Sequence, residues 1–358
     1  MEIKIGARKV GESNPPYFVA DIAANHNGSL ERAMILIEEA KSAGAHAAKF
    51  QNFTAPKIVS REGFNSLKSQ MSHQAGWKKD VFDVYQDASL PQDWTPRLKE
   101  KCDEVGIEYF TSPYDFESVD HVDPYVNVYK IGSGDITWLQ IIQHIGQKGK
   151  PVMLATGASN MTEVEQAVEA LRRTNSEIIL MQCNTNYTAQ RENFKYLNLN
   201  VLRTFSHQYP ELVLGLSDHT PGHASVLGAL ALGARVFEKH FTDDNELDGP
   251  DHKFSMNPQS WRDMVSATLD LFNALGDGNK RVEDNEQQTV KVQRRALWTT
   301  QDLTEGQTIT SDDVFPLRPC PDGGISPAGL ERIVGRRMKS ALQKGVMLRV
   351  EHLVSGEE

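Results

Sequence analysis

Cysteine is scarce: Cys102, Cys183 and Cys320 are the only three in 358 residues. They are too few and too far apart for a disulfide framework or a paired C-x-x-C metal site. A reduced, cytoplasmic setting is the expectation that follows. Long apolar runs are missing too. No stretch approaches the ~18 residues of a membrane span, and Met1 to Val10 carries charges with no apolar signal core behind them. Neither a membrane span nor an export signal is expected. Basic residues are outnumbered, 38 Lys and Arg against 48 Asp and Glu, for a net charge of −10. That balance speaks against a nucleic-acid binder, which needs a basic face to neutralise phosphates. It leaves room for a small anionic substrate, because one pocket can be locally basic.

What is present is enough for a sizeable core, with 39% hydrophobic and 24% charged residues. Eight short apolar runs recur: Tyr17–Ala24, Ala47–Gln51, Ile107–Thr111, Val126–Ile131, Pro151–Ala155, Ile178–Cys183, Leu212–Ser217 and Arg235–His240. Most are continuous rather than alternating, the pattern of strands buried on both faces. Helical spacing lies between them, as in Leu30, Ala33, Met34 and Ile37 or Val164, Ala167, Val168 and Leu171. Ser29 and Asn160 stand where helix N-caps are expected. A final helix carries Met264, Val265, Leu269, Phe272 and Leu275.

This alternation predicts an α/β fold, a (β/α)8 TIM barrel over residues 1–280. An open doubly wound sheet competes with it. Against that sheet, Asn25-His26-Asn27-Gly28 follows the first run where a G-x-G-x-x-G would stand. The composition turns polar from Gly276 to Gln293, and 281–293 reads as a linker, with partial helix as the alternative. Residues 294–358 read as a small α+β or mostly β domain. Its short strands are expected at Ala296-Leu297-Trp298, Gln307-Thr308-Ile309 and Val346-Met347-Leu348.

Reactive groups of a barrel belong at the carboxyl ends of its strands. There the sequence places Asp21, Lys49, Gln51, Ser112, Lys130, Ser133, Asp135, Thr156, Asn184, Thr185, Tyr187, Ser217, His219 and His240. Lysine inside an apolar strand is unfavourable unless it meets an anion. Lys49 and Lys130 therefore read as ligand-facing rather than as salt-bridged core residues. With Ser112, Ser133 and the flexible backbone of Gly132 and Gly134 they suit a phosphate. His219 and His240 end adjacent strands and are candidate ligands for Mn²⁺ or another divalent ion. The alternative is a pair of hydrogen-bonded structural histidines. Cys183 reads as a buried small residue rather than a nucleophile. Asp251, in Gly249-Pro250-Asp251-His252, stands in a mere turn or near the mouth.

Six blocks occur in order: Ala20-Asp21-Ile22-Ala23-Ala24-Asn25-His26-Asn27-Gly28, Lys49-Phe50-Gln51, Tyr129-Lys130-Ile131-Gly132-Ser133-Gly134, Gly215-Leu216-Ser217-Asp218-His219-Thr220, Glu238-Lys239-His240-Phe241 and Gly249-Pro250-Asp251-His252. Together they resemble the sialic acid synthase family, which includes N-acetylneuraminate, legionaminate and pseudaminate synthases and a spore-coat polysaccharide relative. The tail, with Leu317-Arg318-Pro319 and Ile333-Val334-Gly335-Arg336, resembles that family's antifreeze-like (SAF) domain.

The resemblance implies a transferase of the EC 2.5.1 class. Such an enzyme condenses phosphoenolpyruvate with an open-chain N-acylated amino sugar to a nonulosonic 2-keto-3-deoxy acid and phosphate. It implies that Lys49, Ser112, Lys130, Ser133, Ser217 and the Asn184–Tyr187 loop, which includes Thr185, hold phosphoenolpyruvate. His219 and His240 would hold a divalent metal, Mn²⁺ foremost, with Mg²⁺ or Co²⁺ as alternatives. Gln51, Asp135, Tyr187, Asp251 and Arg318 would meet the sugar, and Asp21 would orient or deprotonate the attacking water. Family members are domain-swapped homodimers, so Arg318 would act in trans. The chain departs from the family pattern: Asp21 and Asp135 stand for glutamates, Ala155 for a serine followed here by Thr156, and Thr188 for a proline. These departures leave the acceptor sugar open. A metal-dependent pyruvate aldolase on a similar barrel is the competing enzyme reading. A non-enzymatic sugar-binding scaffold is a third.

Overall fold

The structure is a computed structural model that describes residues 1–67, 74, 77–188 and 190–355. Residues 356–358 of the small domain expected at 294–358 lie outside the described residues. The chain divides into two compact units, Met1–Gly276 and Asp277–Glu358.

The first unit opens with an antiparallel hairpin of β1 (Glu2–Ile5) and β2 (Arg8–Gly11), turned at Gly6, whose φ of +56° suits glycine. Eight further strands follow: β3 (Tyr17–Asp21), β4 (Ala47–Asn52), β5 (Glu108–Pro113), β6 (Tyr129–Ile131), β7 (Val152–Ala155), β8 (Ile178–Cys183), β9 (Val213–Asp218) and β10 (Val236–His240). They pair in parallel and close a barrel in the order β10-β3-β4-β5-β6-β7-β8-β9. Closure bears out the (β/α)8 expectation and excludes the open sheet. The strands read as continuous apolar runs because helices cover their outer faces, so both faces are buried. Phe18, Val19, Ala47, Tyr129, Met153, Leu180 and Phe237 belong to one large hydrophobic cluster with the helices.

Helix starts follow local chemistry. Ser29 accepts a hydrogen bond from the Arg32 N–H at the start of Leu30–Ser42. Asn160 and Glu163 form a full capping box on Met161–Arg172, and Asn257 caps Pro258–Leu275. The connection from β4 to β5 holds short helices at Ala55–Ile58, Arg61–Ser66 and Val81–Ala88 ahead of Trp94–Val105. The first three close over their own small apolar cluster of Ala55, Val59 and Val81, with Ile58, Phe64, Trp77, Phe82 and Tyr85 against it.

The second unit pairs β11 (Ala296–Thr299) with β12 (Val314–Leu317) around Leu297, Leu303, Ile309, Val314, Ile333 and Leu348. Two of the three short strands expected here are single bridges instead, Thr308 to Arg337 and Trp298 to Met347. Residues 281–293 are helical in part. Gln287–Gln293 is a helix of the second unit, held by a Lys291–Asp322 ion pair and by the Cys320 N–H donating to the Lys291 carbonyl.

Candidate active site

The carboxyl ends of the barrel strands surround a cavity of ≈ 350 Å³. Of the residues singled out from sequence, Asp21, Lys49, Gln51, Ser112, Lys130, Ser133, Asp135, Tyr187, Ser217, His219, His240 and Asp251 all line it. Thr156, Asn184 and Thr185 do not. The Thr156 hydroxyl donates to the Met181 carbonyl on the neighbouring strand. Asn184 serves through its backbone oxygen, which accepts from His219, while its side chain turns to Tyr196. Thr185 packs its methyl beside Gly157, where a Cβ would lie 2.5 Å from it. Arg318 belongs to the second unit, where its Nε donates to the Gln293 carbonyl.

Both lysines are buried, at 2% and 3% exposure. They line the cavity and are salt-bridged as well, so the two alternatives read from sequence coexist. Lys49 Nζ lies 2.7 Å from Asp21 Oδ2, and Lys130 Nζ lies 3.0 Å from Glu238 Oε1. Burial would lower the Lys49 ammonium, but the Asp21 and Glu238 charges outweigh it and hold the group above its ordinary value. Burial would likewise raise Glu238. Lys130 and Lys49, with bonds from Lys130 and Ser217, pull it down to about 2. Burial pushes the Asp21 carboxyl up, Lys49 draws it back, and the Glu238 charge raises it again. Asp135 and Asp251 are raised by burial to about 6 and about 7.

His219 and His240 face one another with ring centroids 5.4 Å apart. Burial holds both at about 3, so both imidazoles are neutral. A carbonyl can only accept, so His219 Nδ1, 2.8 Å from the Asn184 oxygen, carries the proton and Nε2 keeps a lone pair. His240 Nε2 is 3.6 Å from Asp21 Oδ2. Among the described residues no group of three or more His, Cys, Asp or Glu forms a metal cage. The donor set fits a divalent ion held by two nitrogens, with its remaining positions left to other ligands.

Three buried polar atoms on this cavity have no hydrogen-bond partner among the described residues: Ser112 Oγ, Glu238 Oε2 and His240 Nδ1, the last 3.9 Å from Asp251 Oδ2. Unpartnered buried polar atoms are unfavourable, and three around one cavity mark a polar ligand site. Ser133 Oγ accepts the Gly157 N–H at 2.9 Å, which leaves its proton for another acceptor. Gly157 must lack a Cβ here, since that atom would lie 2.8 Å from Ser133 Oγ.

Sequence reasoning places Glu238 at the end of its strand but gives it no role. The signal was available: residues 238 and 240 share a face of one strand, and a buried lysine needs a counter-charge. It also left out the apolar side of the cavity, formed by Phe53, Ile58, Trp77, Val84 and Ala88.

The fold and cavity define a class: (β/α)8-barrel proteins with a charged pocket at the strand ends, followed by a separate small unit. The NeuB family model matches residues 36–280 and the SAF domain model residues 294–354, and the chain belongs to the NeuB family, that of the sialic and nonulosonic acid synthases. It is 32% identical to N,N'-diacetyllegionaminic acid synthase of Legionella pneumophila, over 97% of each chain. Pseudaminic acid synthase of Campylobacter jejuni is 30% identical over 93% of this chain and 95% of its own. Among solved structures, the N-acetylneuraminic acid synthetase of Leptospira borgpetersenii in complex with citrate matches with a TM-score of 0.71. It is 29% identical and covers 81% of this chain and 95% of its own.

Proposed function

We propose that the protein is a synthase that condenses phosphoenolpyruvate with the open-chain form of an N-acylated amino sugar, giving a nonulosonic 2-keto-3-deoxy acid and phosphate. The observation that carries this reading is the cluster of Lys49, Lys130, Ser133, Ser217 and the unpartnered Ser112 hydroxyl beside the two neutral histidines.

Lys49 and Lys130 bind the phosphate and carboxylate, each ammonium keeping donors beyond the one aimed at its carboxylate partner. Ser112 and Ser133 donate to the phosphate oxygens. Two lysines against Asp21 and Glu238 leave little net positive charge for a substrate that bears several negative ones. This balance supports a divalent ion on His219 and His240, Mn²⁺ in our reading with Mg²⁺ or Co²⁺ as alternatives. When bound, the ion polarises the aldehyde oxygen of the acceptor as a Lewis acid. C3 of phosphoenolpyruvate forms the new bond to the aldehyde carbon as the C=O π pair moves onto the aldehyde oxygen, which takes up a proton and becomes the new hydroxyl, leaving C2 electron-poor. Asp21 takes the proton of the water that adds to C2, and phosphate leaves as the C2–O bond to it breaks.

Asp135 and Asp251 meet the acceptor's polar groups. The apolar side of Ile58, Trp77, Val84 and Ala88 suits acyl or deoxy methyl groups. That favours a deoxy-diamino hexose over N-acetylmannosamine, in keeping with the legionaminic and pseudaminic relatives. The test supplies phosphoenolpyruvate, Mn²⁺ and a panel of N-acylated hexosamines and measures phosphate. Acceptor-dependent release is expected, largest with the deoxy-diamino sugars. A folded, Mn²⁺-loaded protein that releases none with any acceptor overturns the proposal.

A further inference from the structure

A third buried ion pair lies on the other face of the strands that carry the histidines. Lys239 Nζ and Asp218 Oδ2 are 2.5 Å apart, and both residues are 2% exposed. Neither lines the cavity. They are register partners, the last pair of the β9–β10 ladder. One residue further on, His240 still has a ladder partner, Asp21 of β3, whereas His219 lies beyond the end of β9.

The pair holds what the ladder no longer does. Asp218 Oδ1 accepts the Thr220 N–H at 3.0 Å, and Lys239 Nζ donates to the Thr220 carbonyl at 2.6 Å. Thr220 and Ser225 hydroxyls complete the shell on Asp218. Both backbone groups of the residue after His219 are thus gripped by the residues that precede the two histidines. Stability does not account for the arrangement, because two apolar side chains of similar volume would join the strands without desolvating two charges.

We infer that Asp218 and Lys239 are positioning residues that clamp Thr220 and so set the separation and aim of the His219 and His240 imidazoles for a shared divalent ion. The inference rests on the proposed reading of those histidines as its ligands. Groups that orient metal ligands from behind typically govern affinity by ~10–100-fold.

The test measures Mn²⁺ binding to the full chain by calorimetry and by the electron paramagnetic resonance signal of the ion, without substrates. Asp218→Asn combined with Lys239→Met removes both charges together and leaves none uncompensated. That double variant is expected to unfold cooperatively by circular dichroism and to bind Mn²⁺ at least about ten-fold more weakly, with an altered resonance. Ser225→Ala, which removes one bond to Asp218, is expected to weaken binding about three-fold and decides the matter should the double variant not fold. Unchanged affinity and resonance, even with a lowered Tm, overturn the inference and leave the proposed function standing. A wild-type chain that binds no divalent ion overturns the reading of the histidines and the inference with it.

Discussion

Lys130 and Glu238 make one buried unit with two duties, and substitution separates them. Lys130→Ala removes the ammonium and strands the Glu238 carboxylate, so it is expected to lower stability by ~3–5 kcal/mol. It is also expected to raise the KM for phosphoenolpyruvate far more than that for the acceptor. Adding Glu238→Gln removes the stranded charge. Urea titration of the double variant is expected to recover most of the lost stability, while phosphoenolpyruvate binding stays weak. Recovery of both together would mean that Lys130 acts only as a structural partner. At this scale twelve of the residues singled out from sequence meet on one cavity, because most of them end, or closely follow, a recognisable apolar run; Asp251 instead comes from the loop beyond the last one. Thr156 was misjudged for a physical reason. Its neighbours in sequence are at the mouth, but the hydroxyl satisfies the Met181 carbonyl, and no pattern in one chain reveals a bond to the next strand.

Elements were legible where burial is continuous and obscure where it is short. The eight barrel strands stand out because both faces are covered. The hairpin β1–β2 did not, although Ile3 and Ile5 alternate with charged residues, since four residues are too few to fix a period. The tail behaves likewise: Gln307-Thr308-Ile309 has strand-like residues but pairs only at Thr308. The turn that joins β3 to the helix Leu30–Ser42 carries a prediction about pH. His26 is buried there, and its Nδ1 accepts the Gly28 N–H. Burial first, then Arg32, lowers the imidazole to about 4. The unfolded chain takes up this proton near pH 6.5 and the folded chain only near 4. The contribution is therefore intact above about pH 6.5 and lost as pH falls towards 4. It amounts to about 2 kcal/mol between pH 7.5 and 5. His26→Asn is expected to flatten this part of the urea-midpoint profile. A variant with the wild-type slope would show that His26 does not titrate there.

At the scale of the molecule, the sequence resemblance implies an exchanged assembly, and we propose that Arg318 of one chain serves the acceptor in the barrel of a second. Charge supports the assignment: besides the lysine-paired Asp21 and Glu238, Asp135 and Asp251 line the cavity with no lysine partner among the described residues, so a guanidinium arriving with the acceptor would meet carboxylates and would bind polar groups with fixed geometry. Complementation decides the question. Arg318→Ala and His240→Ala proteins should each be nearly inactive alone. If Arg318 works in trans, a mixed dimer holds one barrel with both defects and one with neither. An equal mixture allowed to exchange subunits makes half its dimers mixed, so it should regain about a quarter of the wild-type rate of phosphate release. Were Arg318 to serve the barrel of its own chain, every site in the mixed dimer would lack one group or the other. Exchange verified by tagged subunits, with no recovered activity, would place Arg318 in cis.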